Sequence, residues 1–415
     1  MTLSALVLSA LLAATPVHWQ GSWAAAQQVP EANNALAAAD LTDATLREIV
    51  HTSVGGQSFR VRLSNAFGKT PLTFDGVHVA RALSPAGAQI DPATDRILTF
   101  NGLPGVTIPA GAEYSSDPVA LPLPAESDIA VSLYYATPPE QQTSHPGARS
   151  TAYDLHGNHT ADADLPGAKT VDHWFNLSGV DVAAPGQSIV MLGDSITDGH
   201  GATTNGNDRW PDVLGRRTVL LGGGVLNAGI GGGRVLQDGL GPNAAARFDR
   251  DVLSQTGARY VIVFEGVNDI GTLTRDAPVD AATHAAFVAR METAYAQMIQ
   301  QAHDHGLKIY GATILPFFGS DYYHPDAANE ADRQALNAWI RDPAHYDAVI
   351  DFDVLMRDPQ YPEHLRGDYD SGDHLHPNAA GYKAMGESIP LPLFDADAPA
   401  PDLSHAPVHK QRKNG

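Results

Sequence analysis

Between about Ala183 and Pro392 the hydrophobic period of the chain changes, and that change limits the fold more than any other feature. Five apolar runs alternate with helical stretches: Ser188 to Gly193, Gly224 to Ile230, Arg259 to Gly266, Lys308 to Pro316 and Asp347 to Asp353. Runs that are apolar throughout, not only at every second residue, suit strands buried on both faces of a parallel sheet. The clearest helical stretch, Val279 to His305, puts Phe287, Met291, Tyr295, Met298 and Ala302 on one face, with Gly306 placed to close it. The alternation predicts an open, doubly wound α/β/α three-layer domain with a five-stranded parallel sheet, flavodoxin-like in order.

The first half has a different pattern. In "SFRVRLSN", Phe59, Val61 and Leu63 alternate with Ser58, Arg60, Arg62 and Ser64, which predicts one buried and one wet face. "SDIAVSLYY" repeats the pattern, and Pro- and Gly-punctuated segments such as "GLPGVTIPAGAEY" lie between such strands. Many short strands with frequent turns predict a jelly-roll-like β-sandwich. The chain of 415 residues thus divides into a β-sandwich over 17–182 and an α/β domain over 183–395, joined near "VAAPGQ". The apolar stretch Leu3 to Ala14, followed by "TPVHW", predicts a cleaved signal peptide over 1–16 and a secreted or periplasmic protein. It lacks the usual preceding Lys or Arg, so a buried segment is the alternative. Residues 396–415 read as a disordered tail. No other segment has the length to span a membrane.

Composition removes several classes of function. With no cysteine, thiolate nucleophiles, thiolate metal sites and disulfides are excluded. A net charge of −21 without a basic patch in the body of the chain argues against nucleic acid as a partner. The glycines at Gly229 to Gly233 lack the third glycine of a dinucleotide loop, since Arg234 stands there.

Candidate chemistry lies after the strands. The first run is followed by "GDSITDG" with Ser195, the second by "GIGGGR", the third by "GVNDIG" with Asn268. With strand order 2-1-3-4-5, these segments share one rim, where open α/β sheets place their sites. Acyl transfer to a serine needs fixed donors for the developing oxyanion, and the backbone N–H groups of Ser195 and Gly232 and the Asn268 amide supply them. A serine nucleophile also needs a base. In "DSGDHLHPN", Asp373 and His376 are three apart and face the same way on a turn, whereas His374 points elsewhere. The plainer readings are a helix N-cap for Ser195, an Asx turn for Asn268 and a solvated helix end for His303 to His305. Arg209 and Trp210 suit either the pocket or capping and packing.

Taken in order, "GDSITDG", "NAGIGGGR", "GVND" and "DHLHPN" resemble the four signature blocks of the SGNH, or GDSL-type, hydrolases. The resemblance covers the second half. It implies a nucleophile at Ser195, an oxyanion hole of Ser195, Gly232 and Asn268, and a base at His376 oriented by Asp373. Three consecutive glycines, Gly231 to Gly233, leave the position of the glycine donor open by one. In the first half, "WQGSWAAAQ", "VGGQSFRVRLSNAFG" and "HWFNLSGVDV" resemble the N-terminal domain of exported bacterial SGNH proteins. The expected function is an exported serine esterase acting through an acyl-enzyme on small acyl, chiefly acetyl, esters of carbohydrate, with no metal or organic cofactor. The alternatives are a lipid- or aryl-ester hydrolase, for which the aromatic segment Ile314 to Pro325 could form a lid, and a non-catalytic carbohydrate-binding protein.

Overall fold

The computed structural model describes residues 17–395, so the expected signal segment 1–16 and tail 396–415 lie outside the described residues. The second half contains a five-stranded parallel sheet whose spatial order is Gly224–Gly229, Ser188–Gly193, Ala258–Phe264, Lys308–Ala312, Ala348–Ile350, which is 2-1-3-4-5 in chain order. Every neighbouring pair is parallel. Ile189, Met191, Val261 and Ile262 are buried, as the unbroken apolar runs require. Helices Trp210–Thr218, Ala281–Asp304, Ala327–Arg341 and Ala379–Ser388 complete the layers. Phe287, Met291, Tyr295, Met298 and Ala302 form the buried stripe of the longest helix, and Gly306 follows it with φ 72°.

Two runs end earlier than their apolar residues suggest. The fourth strand stops at Ala312, because Thr313 turns its hydroxyl to the Asp351 carboxylate at 2.9 Å. The fifth stops at Ile350, because Asp351 caps a new helix, Phe352–Met356, by accepting from the Val354 N–H.

The first half consists of antiparallel sheets. One has the order Trp19–Ala24, Leu177–Ala183, Phe59–Ser64, Glu113–Ser115. The other has the order Lys169–Val171, Ala152–His156, Ala44–Thr52, Ser127–Tyr135, Gly76–Arg81, Arg96–Ile97. Val61, Leu63 and Val180 of the first share one core with Leu46, Val79, Val131 and Leu133 of the second, so the sheets pack face to face.

One expectation fails in an instructive way. The supposedly wet face of Phe59–Ser64 is largely buried: Arg62 is 8% exposed and Ser64 not at all. The second domain covers that face. Arg62 donates to Gln255 at 2.5 Å, and Asp181, which pairs with Arg60 at 2.9 Å, also accepts from Thr256. Further along the seam, Ser188 donates to the Gly21 carbonyl, and Ala25 forms a bridge with Asn227 on the edge strand of the parallel sheet. The halves therefore meet over a sheet face and a sheet edge.

Candidate active site

Ser195 stands at the carboxyl end of the first parallel strand. Asp194 caps a four-residue helix, Ser195–Asp198, by accepting from the Ile196 N–H at 2.9 Å, and Gly199 ends it with φ 100°. This turn places the Ser195 hydroxyl at a strand end, where it meets His376 Nε2 at 2.8 Å. His376 Nδ1 lies 2.6 Å from Asp373 Oδ2, and the His376 backbone N–H also donates to that carboxylate. Partial burial pushes Asp373 upward, but the hydrogen bonds from the His376 ring and from the N–H groups of His376 and Leu375 outweigh it. Asp373 is held well below the usual carboxylate range and stays an anion.

Ser195, Gly232 and Asn268 line the same cleft. Gly231 N–H is bound to Asp198 Oδ2 and Gly233 N–H to the Ile230 carbonyl. Gly232, with φ 66°, lines the cleft, and its N–H has no acceptor among the described residues. Ser195 N–H, at the first position of its helix, is likewise without a protein acceptor among the described residues. Asn268, which lines the cleft, gives one Nδ2 hydrogen to the Gly233 carbonyl at 2.8 Å, and the other has no acceptor among the described residues.

Several neighbours were not legible in the sequence. Tyr323 donates its hydroxyl to Asn268 Oδ1 at 2.6 Å and so fixes which end of the amide faces the cleft. Its only advance signal was its place in the aromatic segment Ile314 to Pro325. Arg247, fully buried, ties three strand ends together: it donates to the Gly193 and Ala228 carbonyls and pairs with Glu265 at 3.2 Å. Burial and the nearby Asp194 push Glu265 well above the ordinary carboxylate range. Nothing in local sequence pattern distinguishes such an arginine from a solvated one.

Other residues considered in the sequence fall elsewhere. His374 points away and pairs with Asp370 at 2.6 Å. Trp210 is fully buried against Phe264 and Phe352, and Arg209 pairs with Asp212 at the start of the same helix, so both pack and cap. His303 pairs with Asp347, and His305 binds the Gln301 carbonyl. His200, Asp373 and His376 each bring one ligating atom within 4.8 Å of the others. The Arg149 guanidinium donates to His200 Nδ1 at 3.1 Å, so a metal ion there would meet a fixed positive charge.

Ser195, His376 and Asn268 open on a cleft of about 800 Å³. Its aliphatic side chains are two leucines, Leu240 and Leu375; Arg234, Arg275, Asp321, Tyr322 and Tyr323 supply much of the rest. No helix among the described residues is long and apolar enough to cross a membrane.

Residues 191–384 match the GDSL-like lipase/acylhydrolase family. Solved structures of low identity are also similar. A G-D-S-L family protein from Desulfitobacterium hafniense is 23% identical over 49% of this chain and 97% of that one, with a TM-score of 0.38. An acetyl xylan esterase is 19% identical over 48% and 96%, with a TM-score of 0.36. A carbohydrate acetylesterase from Sinorhizobium meliloti is 14% identical over 49% and 95%, with a TM-score of 0.37. No curated protein matches the chain. The parallel sheet and the family match, which takes in Ser195, Gly232, Asn268, Asp373 and His376, lead to one conclusion: the second half of this chain belongs to the GDSL-like lipase/acylhydrolase family, and the protein is a carboxylic ester hydrolase.

Proposed function

We propose that the protein hydrolyses small acyl esters, acetyl above all, on carbohydrate, with Ser195 as nucleophile, His376 as base and Asp373 as the group that orients it. The observation that carries this reading is the hydrogen-bonded chain from Ser195 Oγ through His376 to the Asp373 carboxylate, at 2.8 and 2.6 Å. His376 Nε2 takes the Ser195 proton as Oγ attacks the ester carbonyl. Asp373, kept anionic, stabilises the imidazolium and holds its tautomer. The N–H groups of Ser195 and Gly232 and the free hydrogen of Asn268 receive the oxyanion; each such donor is worth about 10²–10³ in rate. His376 then gives its proton to the departing alcohol. Water, deprotonated by the same ring, releases the acyl group.

The cleft favours a small acyl group and a polar alcohol. A long acyl chain gains ~0.8 kcal/mol per buried CH₂, and Leu240 and Leu375 are the only aliphatic side chains among the described residues that line the cleft. Tyrosine faces and charged side chains suit a sugar better. Export belongs to the same proposal and rests on the sequence Leu3 to Ala14. It is tested by N-terminal sequencing of protein recovered from culture medium or periplasm.

The activity is tested with acetylated xylan, nitrophenyl acetate and long-chain nitrophenyl esters side by side, with Ser195→Ala as control. Acetyl esters are expected to be preferred, and Ser195→Ala to lose activity while its Tm stays near wild type. Ser195→Ala activity within about tenfold of wild type would remove the nucleophile assignment. Preference for long chains would move the substrate to lipid.

A further inference from the structure

The segment Thr143 to Thr151 belongs to the β-sandwich, yet it reaches into the active site of the other domain at two points. At the first, Ser144–His145 pairs with Trp174–Phe175, and the His145 ring stacks on Trp174 at 5.6 Å. His145 is 3% exposed. Its Nδ1 faces the Ala26 carbonyl at 2.7 Å and its Nε2 faces Asp198 Oδ1 at 2.9 Å. Asp198 closes the nucleophile helix, and its other oxygen accepts from Gly231 N–H at 3.0 Å. The chain of contacts thus runs from the β-sandwich to the amide next to the Gly232 donor. The space is tight: a Cβ on Gly147 would overlap the Asp198 carboxylate.

At the second point, Arg149 holds φ at 50°, a conformation unfavourable for a non-glycine residue. In this conformation its guanidinium donates to His200 Nδ1 at 3.1 Å, and its carbonyl accepts from Asn205 N–H. The His200 ring lies 4.0 Å from the His376 ring at 38°. Burial, then His376 and Arg149, push His200 down to about 4, against the weaker pull of Asp373 and Asp198. The ring beside His376 is therefore uncharged at neutral pH and adds no repulsion when His376 takes the Ser195 proton.

We propose that the β-sandwich domain is a working part of the active site: His145, through Asp198, positions the Gly231–Gly232 turn, and Arg149, through His200, positions His376. Both are positioning residues, since each acts through another side chain. The inference rests on the Ser195–His376 reading given above.

The test uses the full chain, with active sites counted by fluorophosphonate labelling so that misfolded protein is removed from the rate. His145→Ala is expected to lower kcat per labelled site by about 10- to 100-fold, the cost of misplacing a catalytic group by a fraction of an ångström to an ångström, with KM changed less than about threefold. His145→Gln, which keeps a donor toward Asp198, should recover part of the loss. Arg149→Met should move the acid limb of kcat/KM to higher pH, because the positive charge bound to His200, whose ring lies against that of His376, has gone, and Arg149→Lys should restore it. If His145→Ala does not fold, the Arg149 pair decides alone. Rates per labelled site within twofold of wild type, with an unmoved pH profile in Arg149→Met, overturn the proposal. A fully active Ser195→Ala in the same series would instead overturn the reading beneath it.

Discussion

Tyr323→Phe removes one oxygen atom and tests how the oxyanion site is held. In the wild-type site the Tyr323 hydroxyl donates to Asn268 Oδ1 at 2.6 Å, and Asn268 Nδ2 donates to the Gly233 carbonyl. These two bonds together fix the amide with its remaining hydrogen toward the cleft. Burial pushes the Tyr323 hydroxyl above its ordinary range, so it remains a donor across the working pH. Without it, only the Gly233 bond opposes amide rotation. A net hydrogen bond contributes ~0.5–1.5 kcal/mol, which converts to a loss of about 2- to 12-fold in kcat. The ceiling is set by Asn268→Ala, which deletes the donor and should cost about 10²–10³. The ring that packs against Gly271 is kept, so Tm should fall little. The assay is kcat and KM on nitrophenyl acetate for Tyr323→Phe, Asn268→Ala and the double variant. The double variant should be no slower than Asn268→Ala, because the hydroxyl acts only through that amide. If the two losses multiply, the hydroxyl works independently of Asn268 and the positioning argument is refuted.

Three other outcomes are expected. His376→Ala should lose several orders of magnitude in kcat and His374→Ala far less, because His374 pairs with Asp370 and not with Ser195; steady-state kinetics on both folded variants decides it. Trp210→Ala should cost ~3–5 kcal/mol by urea denaturation, since a fully buried indole between Phe264 and Phe352 leaves a large cavity. His51, although burial disfavours its charge, is raised to about 9 by Asp128 and Glu126. Its folded value thus exceeds the unfolded ~6.5, so its stabilisation is complete below about pH 6.5 and lost as pH rises through about 9. Urea midpoints should fall over that window in wild type, and less steeply in His51→Gln.

Periodicity in the sequence was enough to separate the two halves. Unbroken apolar runs such as Ser188 to Gly193 must be buried on both faces, and Phe59 to Leu63 must alternate, whatever surrounds them. The site blocks were legible for a related reason: strand-end turns bring Ser195, Gly232 and Asn268 to one rim once the order is 2-1-3-4-5. The i, i+3 spacing of Asp373 and His376 is local and could be read directly. What remained hidden depends on distances between residues remote in sequence. Which of the three glycines keeps an N–H without a protein acceptor depends on Asp198 and Ile230, which engage Gly231 and Gly233. Tyr323 reaches Asn268 across 55 positions and His145 reaches Asp198 across 53, and no periodic pattern encodes such a meeting. The wet face expected for Arg62 and Ser64 is dry because a second domain lies on it. Alternation reports only that one face of a strand is less apolar than the other. Whether water or another domain covers that face is decided by tertiary packing, which here gives the buried Arg62 a hydrogen-bond acceptor in Gln255 and the Asp181 carboxylate at 3.7 Å, both from distant parts of the chain.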